Sequence, residues 1–324
     1  MTKEIAAYVG IDVSKKTLDM TLLNEKGGKR RKRFANSTAG IQMLLDWLKR
    51  QTKVQVHVCM ESTSVYWEEV AETLYEAGYK VSVVNPVRIK GYAMSKLYRS
   101  KTDALDGDVI ADFCKNQAPA AWEPPSDVEK KLRALVRHLE ALKKSRIQQS
   151  NRLSTGKDED VKNSLDTLLN TIDAEIKQVQ KRIDDLIDQN PDLKERKELL
   201  KSIPGFSDKT AIHILAEMYD LPAYENAKAV AADAGITTSH HESGTTVYRR
   251  PKISRMGKAA LRAALFYPAI TAIQHNPAVK QLAKRLEARG KKKSVIRVAA
   301  MRKLMHLAYG VIKNKQPFDP AYTG

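Results

Sequence analysis

The sequence predicts an α/β domain at the amino end, followed by two helical regions. Three observations lead there. Apolar alternation broken by Gly27-Gly28 fills the first 35 residues and reads as three strands joined by tight turns. Short strand patterns then alternate with amphipathic helical ones up to Trp122-Glu123-Pro124-Pro125. Beyond that break the apolar spacing is helical throughout.

The elements follow in order. YVGIDVS (8–14) is an apolar run, TLDMTLL (17–23) alternates, and a third strand lies around KRRKRFAN. Ser37 or Thr38 caps a helix over GIQMLLDWLKR. VQVHVCME (54–61) is a strand ending in Glu61, and SVYWEEVAETLYEAGY is an amphipathic helix closed by Gly78. KVSVVNP is a strand ended by Pro86; a short helix and then one over about 102–116 complete the unit. The order β-β-β-α-β-α-β-α-α predicts a mixed sheet with helices on its faces.

Two long arms come next. Val128, Leu132, Leu135, Leu139 and Leu142 follow 4-3-4-3 spacing. After the polar break STGKDED, the series Val161, Leu165, Leu168, Ile172, Ile176, Val179, Ile183, Leu186 continues it with one stutter. This predicts an antiparallel coiled-coil hairpin that can pair with another subunit; two ordinary helices on a globular body are the alternative. Pro191 ends the second arm. LLKSIPGFSDKTAIHILAEM then reads either as a helix-hairpin-helix element, with Gly205 opening backbone N–H groups to a phosphate, or as a plain αα-corner. Helices are expected over about 257–274 and 294–313, the first kinked or divided by Pro268. Arg255, Lys258 and Arg262 at i, i+3, i+7 form a basic stripe on it. The expected domains are 1–125, 126–190 and 191–324.

Composition narrows the function. The formal net charge is +18, and the segment from Arg249 onward holds 18 Lys and Arg against two acids, Glu287 and Asp319. Such a segment calls for a polyanion, most simply nucleic acid held through its phosphates. Aromatics make up only 6% of the residues, which argues against a stacking-based single-strand binder and for backbone recognition. Lys29, Arg30, Arg31, Lys32 and Arg33 suit either nucleic acid or a charge-guarded edge strand. No apolar run reaches membrane-spanning length, and the amino end runs straight into a strand pattern. Cys59 and Cys114 fit no metal spacing and read as buried thiols of a reducing, cytoplasmic compartment. His57, Trp47, Trp67 and Trp122 read as packing residues.

Carboxylates supply the chemistry. Asp12 ends the first strand, Glu61 ends the fourth, and Asp103 and Asp106 share a face of a later helix. First and fourth strands lying side by side would bring these four together, and they need a counter-charge. Mg²⁺ or Mn²⁺ suits such oxygen ligands, and a metal pair ~3.5–4 Å apart promotes phosphodiester chemistry. Asp108 and Asp112 are expected to be solvated. Of the serines in basic surroundings, Ser239, Ser243, Ser254 and Ser294, Ser243 precedes Gly244 in the polar loop SHHESGTTVYRR. His240, His241 and Glu242 adjoin it, with Arg249 and Arg250 placed to neutralise a phosphate.

The D…E…DxxD placement looks like the ribonuclease H-like fold and is similar to the RuvC junction resolvases. YVGIDVSKKTLD, CMESTSVYWEEVAETLYEAGYKVSVVNP, KTDALDGDVIADFC, SIPGF and ESGTTVYRRPKISRMGKAALRAALFYPA occur in that order. Together they resemble the DEDD insertion-sequence transposases, relatives of the Piv-type DNA invertases. The resemblance implies a RuvC-like domain, a coiled coil and a carboxyl-terminal transposase domain acting as a homo-oligomer on target and donor DNA. It implies a structured bridge RNA as guide, Mg²⁺ on Asp12, Glu61, Asp103 and Asp106, and Ser243 as the nucleophile that joins DNA. Arg249, Arg250, Lys252, Arg255, Lys258, Arg262 and Gly205 would contact nucleic acid. Carboxylates and serine, about 140 residues apart, would meet across a domain or subunit interface. Gly107 stands where the family leads one to expect alanine. A junction nuclease using water, a protein-only invertase and an architectural DNA-binding protein are the rival readings.

Overall fold

The computed structural model describes residues 5–24, 26–52, 54–62, 64–96, 103–243, 247–254 and 256–321. The chain divides into two compact units, Met1–Pro124 and Pro125–Gly324.

The first unit is built on a five-stranded sheet. Its strands are β1 (Ile5–Val13), β2 (Thr17–Asn24), β3 (Lys29–Ala35), β4 (Gln55–Glu61) and β5 (Lys80–Val84), in the order β3-β2-β1-β4-β5. β1, β2 and β3 pair antiparallel, as their short connections require, while β1, β4 and β5 run parallel. The helices are α1 (Thr38–Gln51), α2 (Glu68–Glu76), α3 (Pro86–Ser95) and α4 (Asp103–Gln117). This is the mixed sheet that the sequence predicts, with each element close to its expected place.

Strand periodicity sorts the side chains into two layers. Val9, Ile11, Leu18, Met20, Val58 and Met60 face α1 and α2, meeting Ile41, Leu44, Leu48, Val70 and Leu74 in one buried cluster. Burying such a side chain fully contributes ~1.5–3 kcal/mol. Ser37 caps α1 through Gly40 N, and Asn85 caps α3 through Val87 N with Pro86 in its first turn. The opposite face of the sheet takes α4. There Cys59 and Val84 pack with Ile110, Phe113 and Cys114, and both cysteines are buried free thiols. His57 is also buried here, its Nε2 2.8 Å from Ser82 Oγ. Burial, with help from Lys80, lowers its pKa to about 4. Trp67 and Tyr75 hold Trp122 edge-on at 5.6 and 6.3 Å between ring centres.

The second unit begins with α5 (Asp127–Thr155) and α6 (Glu159–Asp188). A capping box between Ser126 and Glu129 starts α5, and Asp158 caps α6. The two helices form a hairpin bridged by Arg146 and Asp173 at 2.5 Å. Leu132, Leu139, Val179, Ile183 and Leu186 of the expected seam join the core of the helices that follow. Toward the tip the seam opens, with Val161 47% and Leu168 43% exposed. Those following helices are α7 (Pro191–Lys201), α8 (Asp208–Glu217), α9 (Ala227–Asp233), α10 (Ala259–His275), α11 (Pro277–Ala288) and α12 (Lys293–Asn314). A short 3-10 turn lies at Leu221–Ala223, and α12 supplies much of the core through Leu304, Met305, Ala308 and Ile312.

Three expectations are corrected here. The described residues of the expected polar loop SHHESGTTVYRR are strand: β6 (Thr238–Ser243) and β7 (Val247–Ile253) pair antiparallel. Of the two outcomes expected at Pro268, a kink or a division, division is ruled out: Pro268 is buried inside α10, which runs on to His275. Of the expected stripe, Lys258 stands at the cap position of α10 rather than inside it and Arg262 lies in its first turn, while Arg255 lies outside the described residues.

Candidate functional site

Sheet register places the first two carboxylates. The β1–β4 ladder runs up to the pair Ile11 and Met60, so Asp12 and Glu61 follow it as neighbours at the carboxyl ends of adjacent parallel strands. Both are half-buried. On its other side Asp12 is the cross-strand partner of Asp19 in β2. Asp19 belongs to the same row, and its place in a turn-rich alternating stretch gave no sign of it. Its carboxylate is held by Arg33 Nε at 2.6 Å.

Helix α4 brings the second pair by crossing the sheet diagonally. Gly107 lies against β2 between Asp19 and Thr21, Gly107 O and Ala111 N lie over Gly10 of β1, and Cys114 Sγ reaches His57 O in β4 at 3.4 Å. The crossing descends from the Asp12 level to the Tyr8 level, since His57 pairs with Tyr8. The first turn of α4, with Asp103 and Asp106, therefore sits at the strand end that bears Asp12 and Glu61. Asp106 is half-buried, and the side chain of Asp103 lies outside the described residues.

The crossing depends on missing side chains. A Cβ on Gly10 would sit 2.3 Å from both Ala111 N and Gly107 O, inside contact distance of backbone atoms. A Cβ on Gly107 would meet Thr21 Oγ1 at 3.1 Å and Asp19 O at 3.2 Å. The glycine that departs from the expected alanine thus lies at the closest part of the helix–sheet contact.

Asp108 overturns the expectation of a solvated residue. It is 5% exposed and accepts hydrogen bonds from Thr21 Oγ1 (2.9 Å), Lys29 Nζ (2.9 Å), Arg31 Nε (2.8 Å) and Arg31 Nη2 (2.5 Å). Burial by itself would raise its pKa, but the bonds from Arg31, Lys29 and Thr21 outweigh that and hold it at about 2. Three cations of β3 are thus spent inside the protein, Lys29 and Arg31 on Asp108 and Arg33 on Asp19. Asp112 is half-buried as well and accepts from Tyr92 Oη at 2.7 Å and Asn116 Nδ2 at 3.0 Å. A cavity of about 230 Å³ beside α4 is lined by Asp19, Thr21, Arg31, Lys32, Arg33 and Gly107.

The donors at this strand end are all carboxylate oxygens, the set that a hard divalent cation takes. Among the described residues no three His, Cys, Asp or Glu groups close into one metal-binding cluster.

In the second unit Ser243 is the last residue of β6 and pairs with Val247 of β7. Arg249 pairs with His241 and Lys252 with Ser239, while Arg250 also lies in β7. Arg255 lies outside the described residues. Lys258 is tied down by Asp233 Oδ2 at 2.9 Å and Glu217 O at 2.7 Å, and Arg262 donates to Gly257 O at 3.2 Å. Gly205 has φ +109 and backs onto α10, where a Cβ would lie 2.8 Å from Ala272 Cβ. That packing, with Asn276 Nδ2 donating to Pro204 O at 3.2 Å, gives the αα-corner reading its physical reason.

Family models match segments in both units. A family model described as transposase, of the DEDD type, matches residues 9–155, and the model of the Transposase IS116/IS110/IS902 family matches residues 197–284. The pilin gene-inverting proteins of Moraxella bovis and Moraxella lacunata are each 35% identical over 318 residues, covering 96% of this chain and 97% of theirs. Among the described residues no helix is long and apolar enough to cross a membrane. The chain belongs to the IS110-type family of DEDD transposases, proteins of DNA recombination that include Piv-type relatives.

Proposed function

We propose that this protein is the recombinase of an insertion sequence, guided by a structured bridge RNA that pairs with target and donor DNA. The observation that carries the reading is that Asp12 and Glu61 end adjacent parallel strands and that the first turn of α4 lies at that same end of the sheet. Asp12, Glu61, Asp103 and Asp106 would hold Mg²⁺, or Mn²⁺ in its place. When bound, the ion supplies charge neutralisation at a scissile phosphate.

The chain's own residues do the rest. Ser243 Oγ attacks phosphorus; the Oγ–P bond forms as one P–O ester bond breaks. The proton that the serine gives up is balanced by one taken up by the released sugar oxygen. A hydroxyl of the second DNA strand reverses the exchange and frees the serine. Arg249, Arg250 and Lys252 flank Ser243 on the ribbon and balance phosphate charge. The cationic surplus beyond Arg249 retains RNA and DNA. Exposed Val161 and Leu168 on the hairpin favour pairing with another copy as a coiled coil, which recombination of two duplexes needs.

Expression with the native flanking DNA, followed by sequencing of the RNA that copurifies, tests the guided reading. One discrete flank-encoded RNA supports it; heterogeneous RNA or none withdraws it. Protein-only inversion is then the reading left, favoured by the full-length likeness to pilin gene-inverting proteins. Asp12→Asn is expected to abolish metal-dependent cleavage, and normal cleavage by it would refute the carboxylate site.

A further inference from the structure

The surface of α10 and α12 carries a group that backbone recognition leaves unused. Tyr267 is 75% and Phe266 37% exposed, adjacent in sequence near the middle of α10. Their rings meet edge to face, 5.3 Å between centres at 83°. The guanidinium of Arg297 on α12 lies 4.4 Å from the centre of the Phe266 ring. Arg297 therefore fixes Phe266, and Phe266 buttresses Tyr267, which stays open to solvent. Lys293 stands one turn before Arg297, at i, i+4 on the same helix. Lys291, Lys292 and Lys293 are exposed, and the only acids from Arg249 onward are Glu287 and Asp319.

At 75% exposure Tyr267 is far more open than Tyr75, the other exposed tyrosine among the described residues, at 40%. Backed by the Phe266 ring, which itself carries Arg297, Tyr267 matches one ligand chemistry: an unstacked base joined to phosphates. We infer that Tyr267, buttressed by Phe266 and Arg297, is a stacking platform for an unpaired nucleotide, with Lys293 and its neighbours taking the adjoining phosphates. This goes beyond backbone recognition and gives the protein a means of telling single strands from duplex. It rests on the nucleic-acid half of the proposed function and not on the serine or the metal.

The test uses the full chain without added metal. Short single strands, one RNA and one DNA, each carry a single 2-aminopurine, and a duplex of the same length serves as control. Wild type is expected to quench the fluorescent base. Tyr267→Ala is expected to lose that quenching and to weaken single-strand binding about tenfold. Tyr267→Phe should restore both, while duplex affinity and the salt slope stay put. Loss with RNA alone, DNA alone or both identifies the source of the base. Unchanged single-strand binding by Tyr267→Ala overturns the platform, as does equal loss for single strand and duplex. A change in sedimentation mass with binding intact would show a protein contact instead and also overturn it. A protein that quenches 2-aminopurine but forms no serine–DNA adduct keeps the platform and loses the recombinase reading.

Discussion

Two cationic runs in this chain, KRRKR at 29–33 and KKK at 291–293, look alike in sequence and do opposite work. In β3 the odd-numbered cations turn toward α4 and are consumed by Asp108 and Asp19. Lys29 and Arg31 hold the helix bearing Asp103 and Asp106 against the sheet. At 291–293 the lysines are exposed, and among the described residues none has an ion-pair partner. The first run stabilises the fold, and the second is available to a polyanion. What a charge run does is decided by what packs opposite it.

Four variants would break or sharpen that contrast. The largest effect belongs to the contact that the β3 cations reinforce. Gly10→Val forces side-chain atoms into the α4 backbone and is expected to cost about 3 kcal/mol or more. Thermal unfolding and cleavage should fail together; a protein of normal melting temperature would mean that α4 does not lie where described.

Asp108→Asn comes next. It leaves Lys29 and Arg31 without their buried counter-charge, and because both cations are half exposed the expected loss is about 2 kcal/mol. The pH sign follows from the depressed pKa. Asp108 is held at about 2 in the folded chain, below the unfolded carboxylate value of about 3.9. Its contribution is complete above about pH 4 and lost as pH falls through about 2. Melting curves taken down to pH 2.5 should therefore fall more steeply for wild type than for Asp108→Asn; parallel curves would contradict the ion-pair assignment.

Replacing Lys291, Lys292 and Lys293 together by Gln is expected to leave the melting temperature within about 2 °C and to reduce the salt slope of nucleic-acid binding by about 2. A fall in stability with an unchanged slope would reverse the contrast between the two runs. The smallest effect is expected for Gly107→Ala. Its helix-propensity gain of ~1 kcal/mol is offset by crowding at 3.1 and 3.2 Å against Thr21 Oγ1 and Asp19 O. Stability should move by less than about 1 kcal/mol, read by chemical denaturation.

The sheet domain was largely legible because each strand and helix has its own period, cap or breaker. The helix expected at about 102–116 is observed at Asp103–Gln117, and the strand ending in Glu61 ends there. Asp12 and Glu61 as neighbours followed from strand order alone. The partners of α4 were not legible. Asp108 meets Arg31 77 residues away and Thr21 87 residues away, and no local spacing encodes such pairs. Gly10 and Gly107 show their purpose only where helix and strand touch. The ribbon of β6 and β7 was missed because SHHESGTTVYRR lacks the apolar alternation of a buried strand. Tyr267 passed unnoticed because a low aromatic total says nothing about which aromatic stays outside.

The most direct measurement traps the protein on a recombination substrate and maps the peptide joined to DNA. The linked residue is expected to be Ser243, with adducts abolished in Ser243→Ala while nucleic-acid binding persists. Linkage at another residue, or adducts that survive Ser243→Ala, would contradict it.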